Sequence, residues 1–518
     1  MPFPVPARSN PDKPALIMAG SGETRTYADL DEASVRLARH LHSQGLRPGD
    51  GLAAMLVNEP AFFEVFWAAM RSGLVITPVN SHLAADEIEY ILRDSGAKAF
   101  IVSRDLVDVA SGAAAAAPAC RVRMVVGGAG EECGFTSYAA ALAAESSDPL
   151  DHEPLGDFMN YSSGTTGRPK GVRRPSPPGQ TFQDAGVLEP LLAGLYGIDE
   201  QSVYLSPAPL YHSAPLAFST GAMALGGTVV VMERFDPAAA LAAIERHRVT
   251  HSQWVPTMFV RLLRLSDEAR AAHDLSSMRV AIHAAAPCPP KVKDAMLDWW
   301  GPILNEYYGA TELNCMTHAP SEAWVSHPGT VGRPVLGTLH ICGEDGEELP
   351  TGAPGLVYSE LPQAPFEYHG DPGKTASTRH PRHPTWTTVG DVGYVDADGY
   401  LYLTDRKAFM IISGGVNIYP QEIEHVLIDH PSVADVAVFG LPNEEMGEEV
   451  KAVVELRDGV DPSPELGQEL RTFARAALAG YKVPRSVDFV AHLPRLETGK
   501  LYKAALRETY LRELSRAD

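Results

Sequence analysis

Helical and strand-like apolar patterns alternate through the first hundred residues of the chain. Between Tyr27 and Gln44 apolar side chains recur at helical spacing, and Gly45, Pro48 and Gly49 end that pattern. The next segments read in turn as strand, helix, strand, helix and strand: 52–57, 60–71, 75–77, 84–95 and 99–103. This alternation predicts an α/β fold with a mostly parallel, doubly wound sheet.

The length of the chain predicts more than one domain. It has 518 residues, 45% of them hydrophobic, whereas single cores stop growing at roughly 250–300 residues. Residues 390–404 alternate aromatic and β-branched side chains around a turn at 396–399, which predicts a hairpin. Beyond Asp405 the patterns predict helices and strands of a separate unit: helices 421–428 and 464–477, and strands 433–439, 450–456 and 486–489. We expect a large α/β domain at residues 1–405 and a small α+β domain at residues 406–518.

The charge balance argues against polyanionic partners. There are 65 acidic and 43 basic residues, a formal net charge of -22, which repels nucleic acids and anionic membrane surfaces. The densest basic cluster, residues 168–174, coincides with a glycine-rich loop, so a small phosphate ligand is the expected partner there.

The cysteines and the N-terminus indicate a reduced, cytoplasmic protein. The five cysteines lack CxxC spacing, which favours neither zinc nor a disulfide framework. The first residues lack a basic segment followed by an apolar one, and no stretch approaches the ~18 apolar residues of a spanning helix. We therefore expect no leader and no integral membrane association.

The loop from Tyr161 to Gly171 has the composition of a phosphate cradle. Its sequence is YSSGTTGRPKG; glycines let backbone N–H groups converge on an anion, hydroxyls donate further hydrogen bonds, and Lys170 can neutralise a phosphate. The Walker pattern is absent, and Pro169 interrupts any helix start. A flexible surface turn is the alternative, since Gly, Ser and Thr are common in loops.

This loop resembles the signature of the adenylate-forming superfamily, which contains acyl-CoA synthetases, peptide-synthetase adenylation domains and luciferases. Further motifs follow in the family's order at residues 308–312, 390–391, 405–407 and 498–500. The resemblance implies a multi-subdomain N-terminal adenylation domain and a mobile C-terminal domain. It also implies that ATP activates a small-molecule carboxylic acid to an acyl-adenylate with release of pyrophosphate, and that the acyl group passes to a thiol, here coenzyme A.

The resemblance implies which residues bind the phosphates. Thr166 and Glu312 are the expected ligands of Mg²⁺, because hydroxyl and carboxylate oxygens are hard ligands. Thr311 offers its hydroxyl to the α-phosphate, and Lys500 resembles the lysine that stabilises the carboxylate and the developing charge. The residues implied to hold the phosphates of ATP are Ser162, Ser163, Gly164, Thr165, Thr166, Gly167 and Lys170.

Other residues resemble those that bind the nucleoside and coenzyme A. Tyr308 offers a flat face to adenine, and Ala285 and Ala286 resemble the small residues on its other face, although a tight turn after a strand is equally compatible with them. His283, just before them, is a weak candidate base. Asp391 resembles the aspartate on the ribose hydroxyls, Arg406 the arginine near ribose and phosphate, and Gly414 and Gly415 the lining of the pantetheine tunnel.

The acid and its acceptor are less constrained by the sequence. The expected acyl pocket involves His212, Phe218 and residues 254–258; it contains no cation, which favours a hydrophobic monocarboxylate. His212 gates the pocket, binds the acid or is a packed polar residue. Residues 366–372 resemble bacterial fatty-acyl and bile- or steroid-acid CoA ligases.

The expected hinge position holds Ala408, where the family commonly has Asp or Lys. An amine or a separate carrier protein is therefore an alternative acceptor. A nucleotide-binding regulator without catalysis is an alternative function, and a homodimer is a possible oligomeric state.

Overall fold

The computed structural model describes residues 4–128, 130–162, 169–174, 179–184, 186, 188–406, 409–413, 416–443, 446–495 and 501–517. The elements up to residue 143 are α1 (Pro4–Ser9), β1 (Pro14–Met18), β2 (Thr24–Thr26), α2 (Tyr27–Ser43), β3 (Gly51–Met55), α3 (Pro60–Arg71), β4 (Val75–Pro78), α4 (Ala85–Asp94), β5 (Ala97–Ser103), α5 (Val107–Ala116), β6 (Val122–Val126), β7 (Thr136–Ser137) and α6 (Tyr138–Ala143).

The elements from residue 157 to residue 326 are β8 (Asp157–Ser162), β9 (Lys170–Arg173), α7 (Leu188–Tyr196), β10 (Val203–Ser206), α8 (Ser213–Ala224), β11 (Thr228–Val231), α9 (Pro237–His247), β12 (His251–Trp254), α10 (Pro256–Leu263), α11 (Asp267–Ala271), β13 (Val280–His283), α12 (Pro290–Trp300), β14 (Leu304–Gly309), β15 (Met316–Pro320) and α13 (Ser321–Ser326).

The remaining elements are β16 (Arg333–Leu336), β17 (Thr338–Cys342), β18 (Gly355–Glu360), β19 (Glu367–Tyr368), α14 (Pro372–Ser377), β20 (Trp386–Thr387), β21 (Asp391–Val395), β22 (Leu401–Arg406), β23 (Ile411–Ser413), β24 (Val416–Ile418), α15 (Pro420–Leu427), β25 (Val433–Asn443), β26 (Gly447–Leu456), α16 (Pro464–Ala477), β27 (Ser486–Val490) and α17 (Lys503–Ala517).

Local chemistry explains where several predicted helices begin. Thr26 caps α2, since its side chain accepts from the Asp29 backbone N–H while the Asp29 carboxylate accepts from the Thr26 N–H. Pro60 starts α3 at a position where the missing N–H costs nothing. The predicted bounds of α3 and α16 agree with the structure.

Two large sheets, each mostly parallel, are built from strands between residues 14 and 368. Among the described residues, the first sheet has eight strands in the order β19-β9-β8-β4-β3-β5-β6-β7, and the second has nine in the order β16-β15-β14-β13-β12-β10-β11-β1-β2. One hydrophobic cluster joins them: Leu52 and Phe62 from the first sheet and α3 pack in it together with Tyr204, Leu216 and Val229 from the second sheet and α8. The predicted α/β fold class is confirmed.

A third sheet carries the predicted hairpin. Its described strands follow the order β17-β18-β21-β22, with β20 beside β18. Strands β21 and β22 are antiparallel, and Asp391 lies opposite Arg406. The hairpin predicted at residues 390–404 is therefore confirmed.

Sheet membership changes between β22 and β23. The described strands of the fourth sheet follow the order β24-β23-β26-β25, with β27 parallel to β26. Strands β25 and β26 are longer than predicted, because the ladder continues past its apolar residues through Asn443, whose side chain donates to Glu449 at 2.7 Å. The division at 405/406 and the mobility of the second unit stay predictions.

No helix within the described ranges combines the length and apolar character needed to cross a bilayer. The five cysteines all lie in the described ranges and are free thiols, four of them buried.

Candidate active site

The glycine-rich loop connects two paired strands of the first sheet. β8 and β9 are antiparallel, with Ser162 opposite Lys170. Ser162 ends β8 and Lys170 begins β9, which fixes both ends of the predicted phosphate loop. Five predicted phosphate-binding residues lie outside the described residues: Ser163, Gly164, Thr165, Thr166 and Gly167.

Tyr368 connects two predicted phosphate-site residues. β9 also pairs with β19, which places Tyr368 opposite Val172. The Lys170 ammonium lies 5.6 Å from the centroid of the Tyr368 ring, and the Tyr368 hydroxyl donates to Glu312 Oε1 at 2.9 Å. The structure thus brings Lys170 to the ring and Glu312 to the hydroxyl of one tyrosine.

The electrostatics of this cluster follow from burial. Glu312 is only 7% exposed. Burial lowers the pKa of Lys170, as does Lys374, against the attraction of Asp371. Arg174 also has a lowered pKa through burial, opposed by the charges of Asp157 and Glu312. A cation beside a buried carboxylate can receive an anionic ligand that coordinates a divalent metal.

The predicted nucleoside residues form a second group. Tyr308, near the end of β14, donates its hydroxyl to Asp391 Oδ2 at 2.6 Å, and Asp391 begins β21 opposite the backbone of Arg406. Packing between two sheets brings Tyr308 to Asp391, whereas Asp391 and the backbone of Arg406 face each other across paired strands of one sheet. Thr311 and Glu312 lie three and four residues beyond Tyr308.

Backbone strain occurs in two of the predicted nucleotide-binding segments. Ala285 has φ 77° and Leu313, directly after Glu312, has φ 48°. Left-handed conformations are uncommon for residues with a side chain and cost of order 1–3 kcal/mol. Among the described non-glycine residues only Cys133 and Arg248 share this property. Both the segment with Ala285 and Ala286 and the turn at Glu312 are therefore held in conformations that surrounding contacts must enforce.

A buried ion pair lies beside His283, two residues before Ala285. His283 ends β13 with no exposed surface, and its pKa lies well below the ordinary value because of burial and then the Lys293 charge. Lys293 pairs with Glu306 at 2.5 Å and lies 4.1 Å from the Trp324 ring centroid. A histidine that is neutral and shielded from solvent suits packing, so the structure offers His283 no route to a base role.

His212 lies at the N-terminus of α8, at the end of a loop fixed by Asn58. The Asn58 amide donates to the carbonyls of Ala208 and Met232 and accepts from the Leu210 N–H. Burial, and then His82, lower the pKa of His212 to about 4. His212 is therefore neutral at physiological pH, and its Nε2 has no hydrogen-bond partner among the described residues.

Several predicted residues lie outside the described residues: Lys500, Gly414, Gly415 and Ala408. Conversely, the sequence alone does not identify Tyr368 as a site residue, although an aromatic residue shortly before Gly370 and Pro372 indicates a turn that can approach a ligand. Across the described ranges no three His, Cys, Asp or Glu side chains form a metal-binding group.

Comparisons with known proteins identify the family of the chain. The family model "AMP-binding enzyme" matches residues 3–365, and "AMP-binding enzyme C-terminal domain" matches residues 422–500. Feruloyl-CoA synthase of an Amycolatopsis species is 36% identical over 97% of each chain. The fatty acid–[acyl-carrier-protein] ligase ScoC of Streptomyces coeruleorubidus is 33% identical over 97% of this chain and 95% of its own.

Solved structures give the same result. The o-succinylbenzoate CoA synthetase of Bacillus subtilis, in complex with its acyl-adenylate intermediate, has a TM-score of 0.82 and 26% identity over 98% of each chain. The amide bond synthetase McbA of Marinactinospora thermotolerans has a TM-score of 0.82 and 28% identity, covering 98% of this chain and 100% of its own. The fold, the ATP-dependent acid activation and the likeness to fatty-acyl ligases expected from the sequence are confirmed. The chain belongs to the AMP-binding enzyme family and is an AMP-forming acid–thiol ligase.

Proposed function

We propose that the protein joins a hydrophobic monocarboxylic acid to coenzyme A in two steps at the site described above. ATP and the acid first give an acyl-adenylate and pyrophosphate; the thiol of coenzyme A then displaces AMP. The observation that carries this proposal is the link from Lys170 through Tyr368 to Glu312, because it places a cation and a buried carboxylate at the end of the predicted phosphate loop.

The first step brings two anions together, so positive charge and hydrogen-bond donors must meet the phosphates. We assign Lys170 and the loop hydroxyls to the phosphates and Thr311 to the α-phosphate. Mg²⁺ usually binds one or two carboxylates together with substrate phosphates. The buried carboxylate of Glu312 fits that pattern, and we assign the Thr166 hydroxyl as a second ligand. Bound Mg²⁺ would supply charge neutralisation at the phosphates.

Tyr308, Asp391 and Arg406 are assigned to the nucleoside. A carboxylate that accepts from a tyrosine hydroxyl at 2.6 Å still has lone pairs for ribose hydroxyls. We assign the Tyr308 ring to one face of adenine and the small side chains of Ala285 and Ala286 to its other face. The hydrogen bond holds the Tyr308 ring and the Asp391 carboxylate in fixed positions before ATP arrives.

Tyr308→Phe tests this pre-arrangement. We expect the KM for ATP to rise about tenfold, because a hydrogen bond to a charged group contributes about 1.5 kcal/mol, while the ring face stays in place. ATP–pyrophosphate exchange measures the KM for ATP. Tyr402→Phe is the matched control, since the Tyr402 hydroxyl donates to Asp396 in the turn of the same hairpin. Equal KM values for both variants would contradict the assignment.

We assign the acid and the acceptor to other residues. We assign the carboxylate end of the acid to the neighbourhood of neutral His212, which can donate or accept one hydrogen bond without adding a charge. Lys500 would stabilise the reacting carboxylate, and Gly414 and Gly415 would line the pantetheine path after rotation of residues 406–518. We also propose a cytoplasmic location, which the five free cysteines support. We propose a homodimer as well, which light scattering tests.

The two steps are tested separately with a panel of carboxylic acids. Pyrophosphate release reports the first step, and mass spectrometry of the product reports the second. We expect both pyrophosphate and a CoA thioester with at least one hydrophobic monocarboxylate. Pyrophosphate without thioester would favour an amine or a carrier protein as acceptor, an alternative that the relatives ScoC and McbA support by name. Ala408→Asp in the same assays tests whether that position affects only the second step.

A further inference from the structure

One face of the nine-stranded sheet carries uncharged polar side chains beneath α8. Tyr204 pairs with His251, Ile282 pairs with both Gln253 and Asn305, and Tyr307 pairs with His318. Because side chains alternate along a strand and partners share a face, these residues point the same way. We name them the polar strip: Tyr204, His251, Gln253, Asn305, Tyr307 and His318.

The polar strip faces α7 and α8. The Phe218 ring of α8 stacks on the Tyr307 ring, with 5.4 Å between centroids. The Tyr196 ring of α7 packs edge-on to His318 at 5.4 Å, and its carbonyl accepts from His251 Nε2 at 2.9 Å if that nitrogen is protonated. Phe218 lies six residues beyond His212, about 9 Å along the helix. An acid with one aromatic ring and a short side chain can extend over this distance.

Two hydroxyls at this strip lack hydrogen-bond partners. Tyr204 is fully buried and Tyr196 is 3% exposed, and neither Oη atom has a partner among the described residues. The other polar groups are paired: Gln253 Nε2 donates to the Tyr307 hydroxyl at 3.0 Å, and His318 Nε2 contacts Asn305 Oδ1 at 2.8 Å. Buried polar atoms normally find a partner, and the described residues supply none for these two hydroxyls.

The strip carries no charge that would pair with a second carboxylate. It contains no Lys or Arg, and burial lowers the pKa of both His251 and His318, which keeps them neutral. A group that binds here must therefore be polar and uncharged. The flat stacked rings of Phe218 and Tyr307 favour an aromatic neighbour.

Building on the proposed function, we propose that the acid is an aromatic monocarboxylic acid with a neutral hydrogen-bonding ring substituent, a hydroxyl or an ether, received by Tyr196 and Tyr204. A site with buried hydrogen-bonding groups rejects an analogue without the matching group, because those groups are then left unpaired. An unsubstituted alkyl acid would leave both hydroxyls unpaired and would be a poor substrate.

Matched acids test this proposal: benzoate and 4-hydroxybenzoate, cinnamate and 4-hydroxycinnamate, and octanoate. We expect kcat/KM for pyrophosphate release to be at least about tenfold higher for the better hydroxylated acid than for its unsubstituted partner. Tyr204→Phe and Tyr196→Phe should each lower that ratio toward one. Tyr481→Phe, which removes a hydroxyl from an exposed residue of the C-terminal unit, should leave it unchanged.

The outcomes separate this inference from the proposed function. Equal use of substituted and unsubstituted acids, a preference for octanoate, or a ratio unaffected by both Tyr→Phe substitutions would overturn the inference while acid activation stands. In that case water molecules form the hydrogen bonds of the two tyrosine hydroxyls, and these residues have a structural role only. No pyrophosphate with any acid of a wider panel would overturn the proposed function and the inference together.

Discussion

Lys500→Ala is expected to slow acyl-adenylate formation by about 100- to 1000-fold, the usual effect of removing one group that stabilises developing charge. The ammonium would act only while the carboxylate attacks the α-phosphate, so thioester formation from chemically prepared acyl-adenylate should persist. Pyrophosphate release measures the first step, and the rate of thioester formation from added acyl-adenylate and coenzyme A measures the second.

Lys98→Ala is the control for this substitution, because Lys98 is a surface lysine paired with Asp50 in the first sheet. It should leave both steps unchanged. If Lys500→Ala slowed both steps equally while circular dichroism matched that of the unsubstituted protein, Lys500 would not have the role proposed for it.

Glu312→Gln is expected to lower the rate of adenylation by about 100-fold and to raise the Mg²⁺ concentration needed for half-maximal rate. The substitution keeps the shape and an oxygen that can accept from Tyr368, but it removes the charge that a hard cation requires. ATP–pyrophosphate exchange across a Mg²⁺ titration measures both quantities.

Two further variants separate charge from packing at this position. Tyr368→Phe removes only the hydrogen bond to Glu312, so we expect a smaller loss, about tenfold, with the same Mg²⁺ dependence. Glu322→Gln, at an exposed residue of α13, should have no effect. An unchanged Mg²⁺ requirement in Glu312→Gln would mean that the metal is held elsewhere.

The parts of the site that could be predicted are contiguous in sequence. The segment at residues 161–171, the segment with Tyr308, Thr311 and Glu312, and the hairpin after Gly390 can be read as motifs because neighbouring residues act together. Helices such as α3 and α16 were predictable because their apolar spacing and first-turn residues are local properties.

The parts that could not be predicted depend on long-range packing. Tyr368 contacts Lys170 and Glu312 only because β19 pairs with β9, and no local pattern specifies that pairing. The same is true of the pair between Lys293 and Glu306 beside His283, where two residue types that are usually exposed become buried. The sequence alone likewise predicts an apolar acyl pocket, whereas strand register places a polar strip beneath α8.

The pairing of β1 with β11 has a consequence for biosynthesis. Leu16 lies opposite Val229, so more than two hundred residues separate the partners. At about 5–20 residues per second, a ribosome needs roughly ten to forty seconds to make β11 after β1. During that interval the early strand lacks the neighbour that completes its ladder, and β2 alone covers it. Nascent chains of this enzyme should therefore need protection from association until the second sheet can close.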